Sequence, residues 1–302
     1  MYDIHDLAAQ NTTYLLAGYS DCRAYINSSR LQDFEEHLRD KAELTIATFS
    51  GFAFQNVQNG EMQCTGRDLD KEGKIKDLVL SSILQEGAYL NIYDRFEDES
   101  QRRKHMGKLW EVREKFDDTF NYGRKFKYFC FNNGQMGIPA FGDFTLAFPL
   151  SHFEDYKLVF LKYNSLSLKY KDNKTLRYYF TNNNEAIALK TLTQDLATLA
   201  HFIPLIVVKR KEDLANGTDV DYNLLILKPL GDTSKHRDYV EVITWQEVKI
   251  QTGVRLRAEK ERFQSIFDAV SDLDREAEPM IKNLRELYEL INTTLITTEY
   301  GY

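Results

Sequence analysis

His236-Arg-Asp-Tyr-Val-Glu-Val-Ile-Thr-Trp-Gln-Glu-Val-Lys-Ile250 is the most strand-like stretch of this 302-residue chain. Val240, Val242, Thr244, Val248 and Ile250 are β-branched, and Tyr239 and Trp245 are aromatic, which suits a pleated surface. Glu241 interrupts the run between two valines. A carboxylate is costly to bury without a partner. Either Glu241 turns to water on a half-exposed strand, or the fold holds it in a site. Strand parity puts Glu241, Glu247 and Lys249 on one face of an unbulged strand, together with Tyr239, Ile243 and Trp245.

Working outward, strands are expected at Leu44–Phe54, with Gly51 as a bulge, and at Phe126–Phe131, Phe141–Phe148 and Tyr156–Tyr163. Further strands are expected at Arg177–Thr181, Leu205–Lys209, Asn223–Lys228 and Tyr239–Ile250. Residues 13–27 read as a strand and turn, and residues 56–73 as a loop. Asn132-Asn133-Gly134, Asn216-Gly217 and Gly231-Asp232 read as turns or connections. Helices are expected at Leu31–Lys41, at Ile75–Leu84 with Gly87 as its cap, and over Met106, Leu109, Trp110, Arg113, Phe116 and Phe120. A further helix is expected over Glu185–Phe202, ended by Pro204. The class implied is α+β, with a central mainly antiparallel sheet, surrounding helices and a long C-terminal helical tail.

That tail carries Leu256, Phe263, Val270, Ala277, Leu284 and Ile291 at seven-residue intervals, with Ile266, Leu273, Met280 and Leu287 between them. Sustained heptads describe helices packed along a seam, with a break or kink at Pro279. The division expected is an α+β domain over residues 1–252 and a heptad-patterned helical tail over 253–302. The seam serves either to fold the tail onto its own domain or to hold a second copy or protein partner through residues 255–295.

Composition narrows the function classes. A net charge of −7 argues against a generally basic nucleic-acid binder, while leaving room for a local basic groove and a nucleic-acid substrate. The three cysteines, Cys22, Cys64 and Cys130, lack paired spacing, so reduced thiols in a cytoplasmic protein are expected. The first residues lack a signal peptide's basic flank and apolar core. The longest apolar run, Phe202–Val208, is too short for a membrane span. No Walker loop, Gly-x-Gly-x-x-Gly, Gly-x-Ser-x-Gly or His-Glu-x-x-His occurs, and the six histidines are not spaced as metal ligands, so no metal site is expected. His201, on an apolar helix face, reads as a structural histidine.

Two constellations remain. Lys127-Tyr-Phe-Cys-Phe-Asn132, Phe141-Gly-Asp-Phe-Thr-Leu-Ala-Phe148 followed by Tyr156–Leu166, and Asp238–Ile250 stand in that order. The order resembles ADP-ribosyltransferase-like folds, including DNA-modifying toxins and abortive-infection proteins, over about residues 125–250. The resemblance implies an NAD-using enzyme that modifies a macromolecule in a toxin or phage-defence setting. It makes Glu241 the catalytic carboxylate, puts Phe131 and Asn132 at the nicotinamide pocket, and assigns Arg23 to NAD by position alone. The His-Thr pair that precedes the helix in the family has no match before Gly87. The chemistry fits the residue types, because a fixed carboxylate stabilises the positive charge that develops as the nicotinamide–ribose bond breaks. The second constellation is Asp221 with Glu247-Val248-Lys249, the form used by metal-dependent nucleases. A non-enzymatic scaffold or inhibitor acting through the tail is the third class.

Overall fold

A computed structural model describes residues 1–50, 52–56, 62–67, 80–138, 142–165, 185–217, 220–229, 237–271, 279–293 and 297–300. The chain begins with helices α1 (Ile4–Gln10), α2 (Thr12–Tyr25) and α3 (Ser28–Lys41), then strands β1 (Glu43–Thr48), β2 (Phe52–Asn56) and β3 (Met62–Arg67). Next come α4 (Leu80–Glu86), α5 (Ile92–Arg95), α6 (Glu99–Met106), α7 (Trp110–Thr119), β4 (Lys127–Asn132), β5 (Phe144–Pro149) and β6 (Leu158–Leu161). They are followed by α8 (Glu185–Thr193), β7 (Leu196–Thr198), α9 (Phe202–Asn216), α10 (Tyr222–Ile226), β8 (Lys228–Pro229), β9 (Arg237–Asp238) and β10 (Glu241–Thr244). The last elements are β11 (Arg255–Ala258), α11 (Lys260–Ser271), α12 (Pro279–Thr293) and β12 (Thr297–Tyr300). Helices and a largely antiparallel sheet in one chain make the class α+β.

Internal contacts group the chain into two units. The first comprises Met1–Leu44, Leu90–Gly134 and Leu150–Gln246. Its strands run in the order β4-β10-β6-β7 and are antiparallel throughout. One face is covered by Ile4 and Ala8 of α1, Phe116 of α7, and Ala188, Leu189 and Leu192 of α8, packed on Val159, Leu161 and Ile243. On the other face Phe131 and Phe160 meet Phe202 of α9. Helix α9 in turn packs against α2 and α3.

The second unit comprises Thr45–Tyr89, Gln135–Pro149 and Glu247–Tyr302. Here β11 lies between β5, antiparallel, and β12, parallel. Helices α11 and α12 pack on each other, α12 on α4, and α11 on the β2–β3 hairpin. Gly87 closes α4 with φ +65°, and its N–H donates to Leu84 O at 3.3 Å, the glycine cap expected from the sequence.

Several local expectations are corrected. Residues 13–25 lie within α2 (Thr12–Tyr25), because Leu15 and Cys22 share a buried face, and Gly18, read as a turn, sits inside that helix. Leu205–Lys209 is helical within α9, although Ile206, Val207 and Val208 favour strands, since tertiary burial overrides that preference. Pro204 sits in the first turn of α9, where no intrahelical partner is needed for its missing N–H, so it does not end a helix. The helix over Glu185–Phe202 stops at Thr193, and Leu196–Thr198 pairs with β6. Asn11 Nδ2 fixes that turn by donating to Leu196 O at 2.6 Å and Gln194 O at 3.3 Å. Asn223–Lys228 is mainly the short helix α10, capped by Asp221. The expected loop over 56–73 contains β3.

The C-terminal segment is not one long helical tail. Arg255–Ala258 and Thr297–Tyr300 are strands around α11 and α12, and Pro279 is the first described residue of α12. Leu256, Ile266, Leu284, Leu287 and Ile291 are buried within the chain. Gly51, residues 75–79, the Arg177–Thr181 strand, the Gly231-Asp232 connection, and Leu273 and Ala277 lie outside the described residues.

Candidate active site

Glu241 opens β10, between β4 and β6, with Cys130 and Leu161 as its cross-strand partners. Every residue of β10 is buried, and Glu241 itself is 3 % exposed, so it does not turn to water. Residues directly opposite share a face, which puts Glu241 with Ile243, Tyr128 and Val159. The turn after β6 reaches back to it: the Ser165 N–H donates to Glu241 Oε2 at 2.9 Å. Burial raises the Glu241 pKa, while the Arg113 charge and the Ser165 hydrogen bonds oppose that rise.

Arg113 comes from α7. Arg113, Phe116, Asp117 and Phe120 recur at helical spacing and are all buried, so one side of the helix carries two aromatics and two opposite charges. The guanidinium carbon lies 3.5 Å from the Tyr128 ring centroid, a desolvated cation–π contact. Nη2 donates to Ser165 Oγ at 3.4 Å, whereas Nη1, 3.8 Å from Asp117 Oδ1, makes no hydrogen bond to a described residue. Asp117 accepts from the Tyr93 hydroxyl at 2.9 Å and from the Tyr128 hydroxyl. Burial pushes the Asp117 carboxyl up to about 7, with Arg113 and the two phenols pulling the other way. Burial likewise lifts Tyr93, Tyr128 and Tyr239, so these phenols stay protonated. The Tyr239 hydroxyl accepts from Asn164 Nδ2, one residue before Ser165.

The result is a buried centre with two carboxylates, one guanidinium and three neutral phenols. Such a centre can hold negative charge in a fixed direction and stabilise positive charge developing beside it. Sequence reasoning singled out Glu241 but missed Arg113 and Asp117 as its companions. The signal was present, since two charges four residues apart on the apolar side of an aromatic helix are rarely left unpaired.

The other candidates lie elsewhere. Phe131 is on β4 but points to the opposite face from Glu241, against Phe160 and Phe202. Asn132 is buried, and its Oδ1 accepts from Asn133 N at 2.7 Å. Arg23 is exposed on α2, its guanidinium 5.9 Å from the Tyr19 ring centroid. Asp221 caps α10 by accepting from Asn223 and Leu224 N–H groups. Glu247 and Lys249 form an exposed ion pair at 3.3 Å, and β10 ends at Thr244, so strand parity does not extend to them. Among the described residues, no group of three His, Cys, Asp or Glu is placed to hold a metal ion. Nor is any described helix long and apolar enough to cross a membrane. His201 Nδ1 is hydrogen-bonded to Thr198 Oγ1 at 3.0 Å. No protein-family model matches the chain, and no curated protein matches it in sequence.

Proposed function

We propose that the chain is an NAD-using, ADP-ribosyltransferase-like enzyme that modifies a macromolecule in a toxin or phage-defence setting, with Glu241 as its catalytic carboxylate. The observation that carries this reading is the carboxylate itself: buried on a central strand, aimed by the Ser165 amide at 2.9 Å, and neighboured by the Arg113 charge. NAD supplies the nicotinamide–ribose bond as its reacting group. Glu241 holds the negative charge that the developing oxocarbenium ion needs, already oriented, so little reorganisation is required. The Arg113 charge opposes the rise that burial gives the carboxylate, and its Nη1, which bonds no described residue, is offered to an acceptor on the substrate. Tyr128, with its ring fixed by Arg113, supplies an aromatic wall on the same face.

The test is nicotinamide release from NAD by the wild type, Glu241→Gln and Glu247→Gln, each first shown folded by circular dichroism. Gln keeps the shape of Glu241 and removes its charge, so release is expected to fall about a hundredfold to a thousandfold. Glu247→Gln should match the wild type. No release by the wild type, with protein and nucleic-acid acceptors supplied, would sink the transferase reading.

A further inference from the structure

Glu241 is reached by two stretches of chain, and one lysine ties them together. Lys209 stands on α9, and only 1 % of its side chain is exposed. Its ammonium donates to Lys162 O, to Tyr239 O at 3.2 Å, and to Asp238 Oδ1 at 2.7 Å. Three donors thus meet three acceptors, the full complement of an ammonium group. Lys162 opens the turn that carries Asn164 and Ser165, the residues that bind Tyr239 and Glu241. Tyr239 stands two residues before Glu241.

We propose that Lys209 is the positioning residue of the Glu241 centre: its ammonium clasps the Lys162 and Tyr239 carbonyls and so holds the Ser165 amide on the Glu241 carboxylate. The inference rests on the reading of Glu241 given above, and it adds a regulation to that site. A neutral amine has two donors and cannot serve three acceptors, so loss of the proton releases one of the three and loosens the clasp. The surroundings favour that loss. Burial pulls Lys209 down to about 7, assisted by the Arg210 and Lys162 charges and opposed by Asp238. Asp238 is shared, since Arg210 Nη1 holds its other oxygen at 2.8 Å, and it keeps a cationic partner when Lys209 is neutral. Asp195, itself raised by burial, adds negative charge from the turn after α8, and the Tyr163 ring lies 4.3 Å from Nζ. The buried Tyr239 phenol is lifted well above its ordinary range and stays neutral through the same interval.

The Ser165 amide resonance, followed by NMR from about pH 5 to about pH 9, reads the clasp directly. In the wild type it should move with Lys209, whose Nζ titration is followed in the same sample. Lys209→Met keeps the length of the side chain and removes the donors. It should abolish that step. A folded Lys209→Met protein whose Ser165 amide still moves over the same interval would overturn the inference. If that variant does not fold, the wild type decides. A Ser165 amide that moves with Lys209 supports the clasp, and one that stays still while Lys209 titrates overturns it. Nicotinamide release measured on the same wild-type sample separates the two claims. Its absence removes the transferase reading alone, since the amide reports the Glu241 hydrogen bond whether or not chemistry follows.

Discussion

At the scale of single residues, two buried carboxyl groups, Glu241 and Asp117, share the guanidinium of Arg113. The cost appears as a raised proton affinity, most clearly at Asp117, whose folded value of about 7 lies above the ordinary 3.8. A folded state that binds the proton more tightly is favoured at low pH, and this contribution is lost as pH rises from the unfolded value through the folded one. At this fully buried carboxyl, the difference between the two values corresponds to something on the order of 4 kcal/mol. Asp117→Asn removes the ionisation, so its stability should decline less than that of the wild type between about pH 4 and about pH 7. Urea midpoints across that range measure the difference, and parallel curves for the two proteins would refute the assignment.

At the scale of elements, α7 is the device that brings charge to the sheet, and its end is set by backbone geometry. Phe120 N–H returns to Asp117 O at 3.1 Å, Tyr122 adopts a left-handed φ of 61°, and Gly123 passes directly over the Asp117 carbonyl. A Cβ at Gly123 would lie 1.7 Å from that oxygen, so no side chain fits without moving backbone. Gly123→Ala should therefore destabilise the protein by about 1–3 kcal/mol or more and displace the turn that carries Asp117. Denaturation followed by the fluorescence of Trp110, buried at the start of α7, reads both effects. A variant with the wild-type midpoint would show that the turn is not fixed as described. This helix was legible from its spacing of Trp110, Arg113, Phe116 and Phe120. Its neighbours on the opposite sheet face were not. In α9 the run Ile206-Val207-Val208 carries strand preference, and in α2 Gly18 looks like a break although it lies inside a helix that packs on α9.

At the scale of the whole molecule, the buried heptad positions among the described residues find contacts inside the chain. Leu284, Leu287 and Ile291 of α12 are buried, α12 packs on α11 and α4, and Leu256 lies within β11 between β5 and β12. An intermolecular seam would have to open these contacts. A chain ending at Gly253 loses β11 and β12 and uncovers an edge of β5, so the second unit should lose its cooperative melt and the protein should aggregate. Size-exclusion chromatography and circular dichroism of the truncated chain provide the measurement. A folded, soluble truncated protein would contradict the intrachain role and return the seam to a partner.

The sequence by itself determined what depends on neighbours in the chain. Alternating β-branched residues made a strand around Val242, aromatic spacing made α7, and Gly87 capped α4, because each signal is a local periodicity or backbone requirement. It also marked Glu241 as a residue needing an explanation, since a carboxylate between valines is costly wherever the strand is buried. Tertiary structure alone decided which explanation holds. Arg113, Ser165 and Lys209 are far from Glu241 in sequence, and only the pairing of β10 with β4 and β6 brings their helices and turn to it. The same is true of the tail: a heptad records that one side is apolar, but what covers that side is fixed by the sheet and helices it meets in space.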